Sequence, residues 1–189
     1  QSGWTPPDWC VLPVCYGDAL YGMWKGFDDM KRWGWIDKCP RLVAAEISGS
    51  LTAAAAQQVD MPPVIARNSK SIANSIDVTQ GTFQARAALK HSDGVAVTLN
   101  DEELIHARDR LATGSGLSVE TSSAAAFAAV DTLSRNGTIK PGEDVVAILT
   151  ASGLKDFGLS GVEPLGAPDV APELDAVLRA LGENYGYHV

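Results

Sequence analysis

Trp9-Cys10-Val11-Leu12-Pro13-Val14-Cys15-Tyr16-Gly17-Asp18-Ala19-Leu20-Tyr21-Gly22 is the stretch on which the fold class turns. Trp9 to Val14 is a short apolar run without alternation, set off by Pro6-Pro7-Asp8. It reads as a buried strand. Cys15-Tyr16-Gly17-Asp18 then turns the chain, and the period changes. Leu20, Met23, Trp24, Phe27 and Met30 recur at spacings of three and four, the mark of a helix with one apolar face. Leu42 to Ile47 is a second apolar run, closed by Ser48-Gly49-Ser50. Strand, turn, helix, strand is the unit from which parallel sheets are built, because parallel neighbours need a crossover between them.

The same alternation continues outward. Thr52 to Ser75 is Ala-rich and then polar, broken at Pro62-Pro63, which predicts a short helix followed by irregular chain. Thr82 to Leu89 reads as a helix and Val95 to Thr98 as a short strand. Asn100 or Asp101 caps the next helix, whose Leu104, Ile105, Arg108 and Leu111 keep the helical period. Ser122 to Ser134 is an Ala-rich helix with Phe127, Val130 and Leu133 on one stripe. Asn136-Gly137 and Pro141-Gly142 are turns, Val145 to Leu149 reads as a central strand, and Leu174, Val177, Leu178 and Leu181 mark a last helix. The expected fold is therefore α/β, a mostly parallel sheet flanked by helices.

Bulk properties narrow the classes of function. The chain has 189 residues, 46% hydrophobic and 20% charged, enough apolar material for one globular domain or a large piece of one. The net charge is −8 and the isoelectric point about 4.8, with no Lys/Arg cluster, so no nucleic-acid partner is expected. No apolar window of about 18 residues occurs, so no membrane partner is expected either. The start, Gln1-Ser2-Gly3-Trp4, lacks both the pattern of a signal peptide and an initiator Met, and reads as cut from something longer. Cys10, Cys15 and Cys39 cannot all pair within the chain, and with His91, His106 and His188 scattered they match no metal-site spacing. A reducing cytoplasm is the expected setting.

In open parallel sheets ligands bind at the carboxyl ends of strands, in the turns that lead into helices. Two turns qualify. The one after Val14 exposes backbone N–H groups at a helix start, where the helix dipole favours a phosphate dianion. Gly17 allows close backbone approach there, and Gly22 lets the helix sit near the sheet. Asp18 argues against an anion unless its side chain turns back to cap the helix. The turn after Leu149 begins with Thr150, whose neutral hydroxyl suits an aromatic ring nitrogen; the alternative is a bond to nearby backbone.

Pro13 to Gly22, Ser71-Ile72-Ala73-Asn74-Ser75-Ile76, Val119-Glu120-Thr121-Ser122-Ser123-Ala124-Ala125, and Pro141 to Thr150 followed by Gly153-Leu154-Lys155-Asp156 stand in a fixed order. Together they resemble the carboxyl-terminal half of fold-type-II pyridoxal-phosphate enzymes, and most nearly the threonine synthases, over roughly Trp9 to Asp156. The resemblance implies that residues 1–189 are a single piece, the carboxyl-terminal half of the large cofactor-binding domain in the tryptophan-synthase-beta-like fold. It implies that the backbone amides of Tyr16, Gly17, Asp18, Ala19 and Leu20 hold the phosphate of pyridoxal 5′-phosphate and that Thr150 meets the pyridine nitrogen. It implies a lyase that works on a small amino-acid substrate by β/γ elimination or replacement, with O-phosphohomoserine converted to threonine as the leading case. A dehydratase, ammonia-lyase or β-replacement synthase of the same fold is the alternative, as is a non-catalytic cofactor- or partner-binding domain.

The departures bear on substrate choice. Cys15 and Tyr16 stand where the family loop carries Gly or Asn, and Ala151-Ser152 where threonine synthases carry Gly-His. The Schiff-base lysine of the family lies in the amino-terminal half. Lys25, Lys31, Lys38, Lys70, Lys90, Lys140 and Lys155 are not in its sequence context. The resemblance therefore implies a separate amino-terminal half as partner, and a homo-oligomer of the assembled enzyme.

Overall fold

The computed structural model describes residues 3–66, 69–156 and 168–187. The sheet has four parallel strands: β1 (Trp9–Pro13), β2 (Arg41–Glu46), β3 (Val95–Thr98) and β4 (Val145–Ala147), in the order β3-β2-β1-β4. The helices are α1 (Asp18–Arg32), α2 (Ser50–Ala56), α3 (Phe83–His91), α4 (Asp101–Ser115), α5 (Thr121–Arg135) and α6 (Leu174–Tyr185). Single 3₁₀ turns form at Asn74–Ile76 and Gly153–Lys155. The chain divides into two compact units at Lys155/Asp156, and α6, closed by a left-handed Gly186, belongs to the second. Among the described residues no helix is long and apolar enough to cross a membrane.

Side chains of a strand alternate between faces, and in the two central strands both faces are apolar. Trp9, Val11, Val43 and Ala45 enter one core with α4 and α5, while Cys10, Leu12, Leu42 and Ala44 enter another with α1, α2 and α3. This double burial explains why both runs read as continuous hydrophobic stretches. On the first face Ala124, Ala125, Ala128 and Ala129 are buried; side chains this small allow α5 to sit close against β1.

Most predicted elements appear within a residue or two of their expected bounds. Asn100 is the α4 cap, in a capping box with Glu103 (3.0 and 2.9 Å). Two expectations fail. Among the described residues the run Val145–Leu149 is not a central strand: β4 spans Val145–Ala147 at the edge, pairs there with β1 alone, and leaves Val146 exposed. An unbroken apolar run cannot tell a central strand from an edge strand whose free side faces something else. Nor does Gly22 bring α1 near the sheet, since a Cβ built there meets nothing within 4 Å. Gly94 does carry a close approach, with Leu42 O 2.3 Å from where its Cβ would stand.

The amino ends of β1 and β4 are joined by polar contacts. Asp144 O accepts from the N–H groups of Asp8 (2.9 Å) and Trp9 (3.0 Å), and Asp144 N–H donates to Asp8 Oδ2 (2.9 Å). The fully buried Trp9 donates its indole N–H to Glu143 Oε2 (3.0 Å) and carries the Arg41 guanidinium on its ring face, 4.0 Å from the centroid. The Lys38 ammonium, followed by the Asp144 N–H, holds the Asp8 carboxyl below its ordinary value. The Lys140 N–H and then the Trp9 indole do the same for Glu143. The unfolded chain thus takes up these protons at about pH 4, above the pH at which the folded chain does. The contribution of this junction is complete above that pH and is lost as pH falls through the depressed folded values. Hydrogen exchange at the Lys140 and Asp144 amides should accelerate selectively below about pH 4, and Asp8→Asn with Glu143→Gln should flatten that dependence.

Candidate functional site

Helices α1, α2 and α4 follow β1, β2 and β3, so all start at the carboxyl edge of the sheet. A helix start leaves N–H groups without intrahelical partners, and each is an anion site unless a side chain fills it. At α2 the buried Glu46 fills it: its carboxylate accepts from Leu51 N–H (3.0 Å), Thr52 N–H (2.7 Å) and Thr52 Oγ1 (2.8 Å). At α4 Asn100 does so. At α1 no side chain caps the terminus. Its N-cap is Gly17, in the left-handed region at φ +96°, and Asp18 is exposed rather than folded back. The first turn of α1 thus presents the N–H groups of Asp18, Ala19 and Leu20, while Tyr21 N–H is taken by Gly17 O (2.9 Å).

The turn is held from outside. Tyr16 O accepts from Thr82 Oγ1 (2.8 Å) and Thr82 N–H (3.3 Å). Thr82 is also the N-cap of α3, accepting from Ala85 N–H (3.2 Å). Gly17 is pressed against the same helix: a Cβ there would stand 2.2 Å from Ala85 Cβ. The predicted close approach at Gly17 is thus real, though its partner is α3. Burial pushes the Cys15 thiol above its ordinary value, the Tyr16 N–H works against this and the Asp18 carboxylate adds to it, so the thiol stays neutral beside the open terminus. A cavity of about 540 Å³ adjoins the turn, with Tyr16, Thr82 and Phe83 in its wall.

Thr150 follows β4. The last registered pair between β1 and β4 is Val11 with Ala147, and Ile148 N–H donates to Val11 O (2.9 Å). Both turns therefore leave neighbouring parallel strands at one edge, within a few residues of that pair. Thr150 is exposed, and its hydroxyl lies 2.8 Å from Ser123 Oγ. Its partner is thus a side chain rather than the backbone. Ser123 Oγ also accepts from Ala151 N–H (2.8 Å).

The other sequence motifs converge here. Glu120 N–H donates to Ala151 O (3.0 Å), Val119 bridges Ser152, and the Glu120 carboxylate, nearly buried, accepts from Ser75 Oγ. Sequence reasoning missed Thr82, Ala85 and Ser123, which hold the two turns in place. A Thr before an apolar-periodic run was the available signal for Thr82; nothing distinguished Ser123 from its neighbours. Of the seven lysines six are exposed, and half-buried Lys25 pairs with Asp29.

An uncapped helix start and an exposed hydroxyl on adjacent strands fit a group with an anion at one end and a ring nitrogen at the other. The pyridoxal-phosphate dependent enzyme family matches residues 1–151, ending just past Thr150. The chain belongs to that family. Among curated relatives, threonine synthase of Methanocaldococcus jannaschii is 31% identical over 82% of this chain and 39% of its own length. Threonine synthase 2, chloroplastic, of Arabidopsis thaliana is 30% identical over 82% of this chain and 31% of its own. The fold of a fungal L-serine ammonia-lyase from Rhizomucor miehei superposes with a TM-score of 0.62 at 22% identity, over 78% of this chain and 46% of that one. The chain thus spans about two fifths or less of the length of these threonine synthases. For this member of the pyridoxal-phosphate-dependent enzymes, the tight seat of Gly17 is testable. Gly17→Ala should lose roughly 2–5 kcal/mol, from left-handed strain and overpacking together, in denaturant unfolding. Ala85→Gly in the same chain should restore the packing part and leave the backbone strain.

Proposed function

We propose that this chain is the carboxyl-terminal part of a pyridoxal-phosphate-dependent lyase that acts on an amino acid by β/γ elimination or replacement, most like threonine synthase. The observation that carries the reading is the pair of turns at one sheet edge, one ending in an uncapped helix start and the other in an exposed hydroxyl. The N–H groups of Tyr16, Gly17, Asp18, Ala19 and Leu20 hold the cofactor phosphate, and the Thr150 hydroxyl meets the pyridine nitrogen. The relatives that are threonine synthases support O-phosphohomoserine as substrate, with threonine and phosphate as products.

Pyridoxal 5′-phosphate, when bound, supplies the electron sink that these reactions need. The chain's own residues bind and orient it. Tyr16 is tethered through its carbonyl, so the phosphate turn is set before the ligand arrives. Thr150 brings a neutral partner rather than a carboxylate, so it does not enforce a charged ring. The reacting lysine comes from the amino-terminal part of the enzyme; the absence of the family's lysine context around the seven lysines of this chain supports this. Exposed apolar side chains, Met61, Val64, Val146 and Leu154, together with the free edge of β4, support a large apolar interface with that part. The assembled enzyme acts as a homo-oligomer. Three free cysteines support a reducing cytoplasm as its place of work.

Two outcomes are expected. Assembled with its amino-terminal part, the protein should be yellow, its visible band should shift on adding amino acid, and O-phosphohomoserine should release inorganic phosphate. Release of ammonia from serine or threonine instead would reassign it to the dehydratases, and a colourless, folded assembly would sink the enzyme reading. In sedimentation the chain alone should associate or aggregate; a well-behaved monomer would refute the interface.

A further inference from the structure

We infer that Ser123 is a positioning residue whose buried hydroxyl sets Thr150 as a hydrogen-bond donor toward the cofactor's ring nitrogen and thereby keeps that nitrogen unprotonated. The inference rests on the reading of Thr150 given above and deepens it. Ser123 lies in the first turn of α5 and is completely buried. Its oxygen accepts from Ala151 N–H at 2.8 Å and stands 2.8 Å from Thr150 Oγ1.

A hydroxyl has one hydrogen to give and two lone pairs to receive. Two polarities are open. If Thr150 donated to Ser123, the Ser123 oxygen would be filled by two incoming hydrogens, and its own hydrogen would be stranded in the core. A buried donor without an acceptor is costly, and Thr150 Oγ1 is the one acceptor to which Ser123 is hydrogen-bonded among the described residues. If Ser123 donates, every group is satisfied, and the leftover hydrogen belongs to Thr150, which is exposed and can aim it outward. The chain of bonds then runs from Ala151 N–H to Ser123, from Ser123 to Thr150, and from Thr150 outward. An incoming O–H also polarises Thr150 in one sense, strengthening it as a donor and weakening its remaining lone pair as an acceptor. Such a group suits an unprotonated ring nitrogen and disfavours a charged one.

Ser123 therefore acts on the cofactor only through Thr150. The neighbouring Ser122 hydroxyl, buried in the same turn, has no partner among the described residues, so a serine in that turn is not paired as a matter of course.

The test uses the assembled holoenzyme carrying pyridoxal 5′-phosphate labelled with ¹⁵N in the ring, read by nitrogen chemical shift from pH 6 to 9, with cofactor dissociation measured in parallel. The unaltered enzyme should give the shift of an unprotonated pyridine throughout. Ser123→Ala should let the signal titrate within that range and should weaken cofactor binding roughly ten-fold. Weakened binding with an unchanged nitrogen signal would mean that Ser123 only supports the turn at Ala151, and would overturn the inference. If circular dichroism shows Ser123→Ala unfolded, Ser123→Cys, which keeps a weak donor, is read instead: an intermediate shift supports the inference and an unchanged one refutes it. Thr150→Val separates the two levels. If Thr150→Val itself leaves the nitrogen signal unchanged, the assignment of Thr150 falls and the role of Ser123 with it. If Thr150→Val moves the signal and Ser123→Ala does not, only the role of Ser123 falls.

Discussion

The parallel pairing of β1 with β4, Trp9 against Val145 through Val11 against Ala147, makes one site out of two turns from opposite ends of the described sheet unit. Without it the open start of α1 and the hydroxyl of Thr150 would be unrelated surface features. The pairing is secured at its amino end by Asp8, Glu143 and the indole of Trp9, all remote from the site. At its carboxyl end, Ser118 to Ser123 lie along Thr150 to Gly153 and carry the second turn into place.

On the proposed function, the choice of phosphate seat turns on which helix starts are already filled. The three helices that follow β1, β2 and β3 begin at the same sheet edge, each with orphan amides at its start. Glu46 neutralises one and Asn100 another, by accepting the very N–H groups that an anion would use. Gly17 has no side chain with which to fill the third, and the Tyr16 carbonyl beside it is held by Thr82. The chain's net charge of −8 disfavours an anion at long range, so on the proposed function affinity has to come from these few short-range donors. That places a premium on their being held in position before the ligand binds, which the contacts of Thr82 and Ala85 accomplish.

Side-chain period revealed the elements but not their neighbours. The runs at Trp9–Val14 and Leu42–Ile47 were legible as buried strands because both of their faces are apolar, and the period of α1 was legible because one stripe of it packs on the sheet. Glu46 shows the opposite case. It sits at the end of an apolar run, and its function as the cap of α2 depends on the turn at Gly49, which returns Leu51 and Thr52 to it. The position of β4 at the edge was equally beyond pattern reading, since Val145, Val146 and Ala147 would look the same in the middle of a sheet.

By itself the sequence determined the alternation of strands and helices, the two candidate turns and the residue types in them. Those properties are local: they follow from apolar period, glycine at a left-handed position and a hydroxyl at a strand end. Only the tertiary structure decided that Gly17 packs on Ala85, that Thr82 holds Tyr16, and that Ser123 reaches Thr150. Each of these joins segments far apart in the chain, and whether two such segments meet depends on strand order and helix packing, which no local pattern encodes.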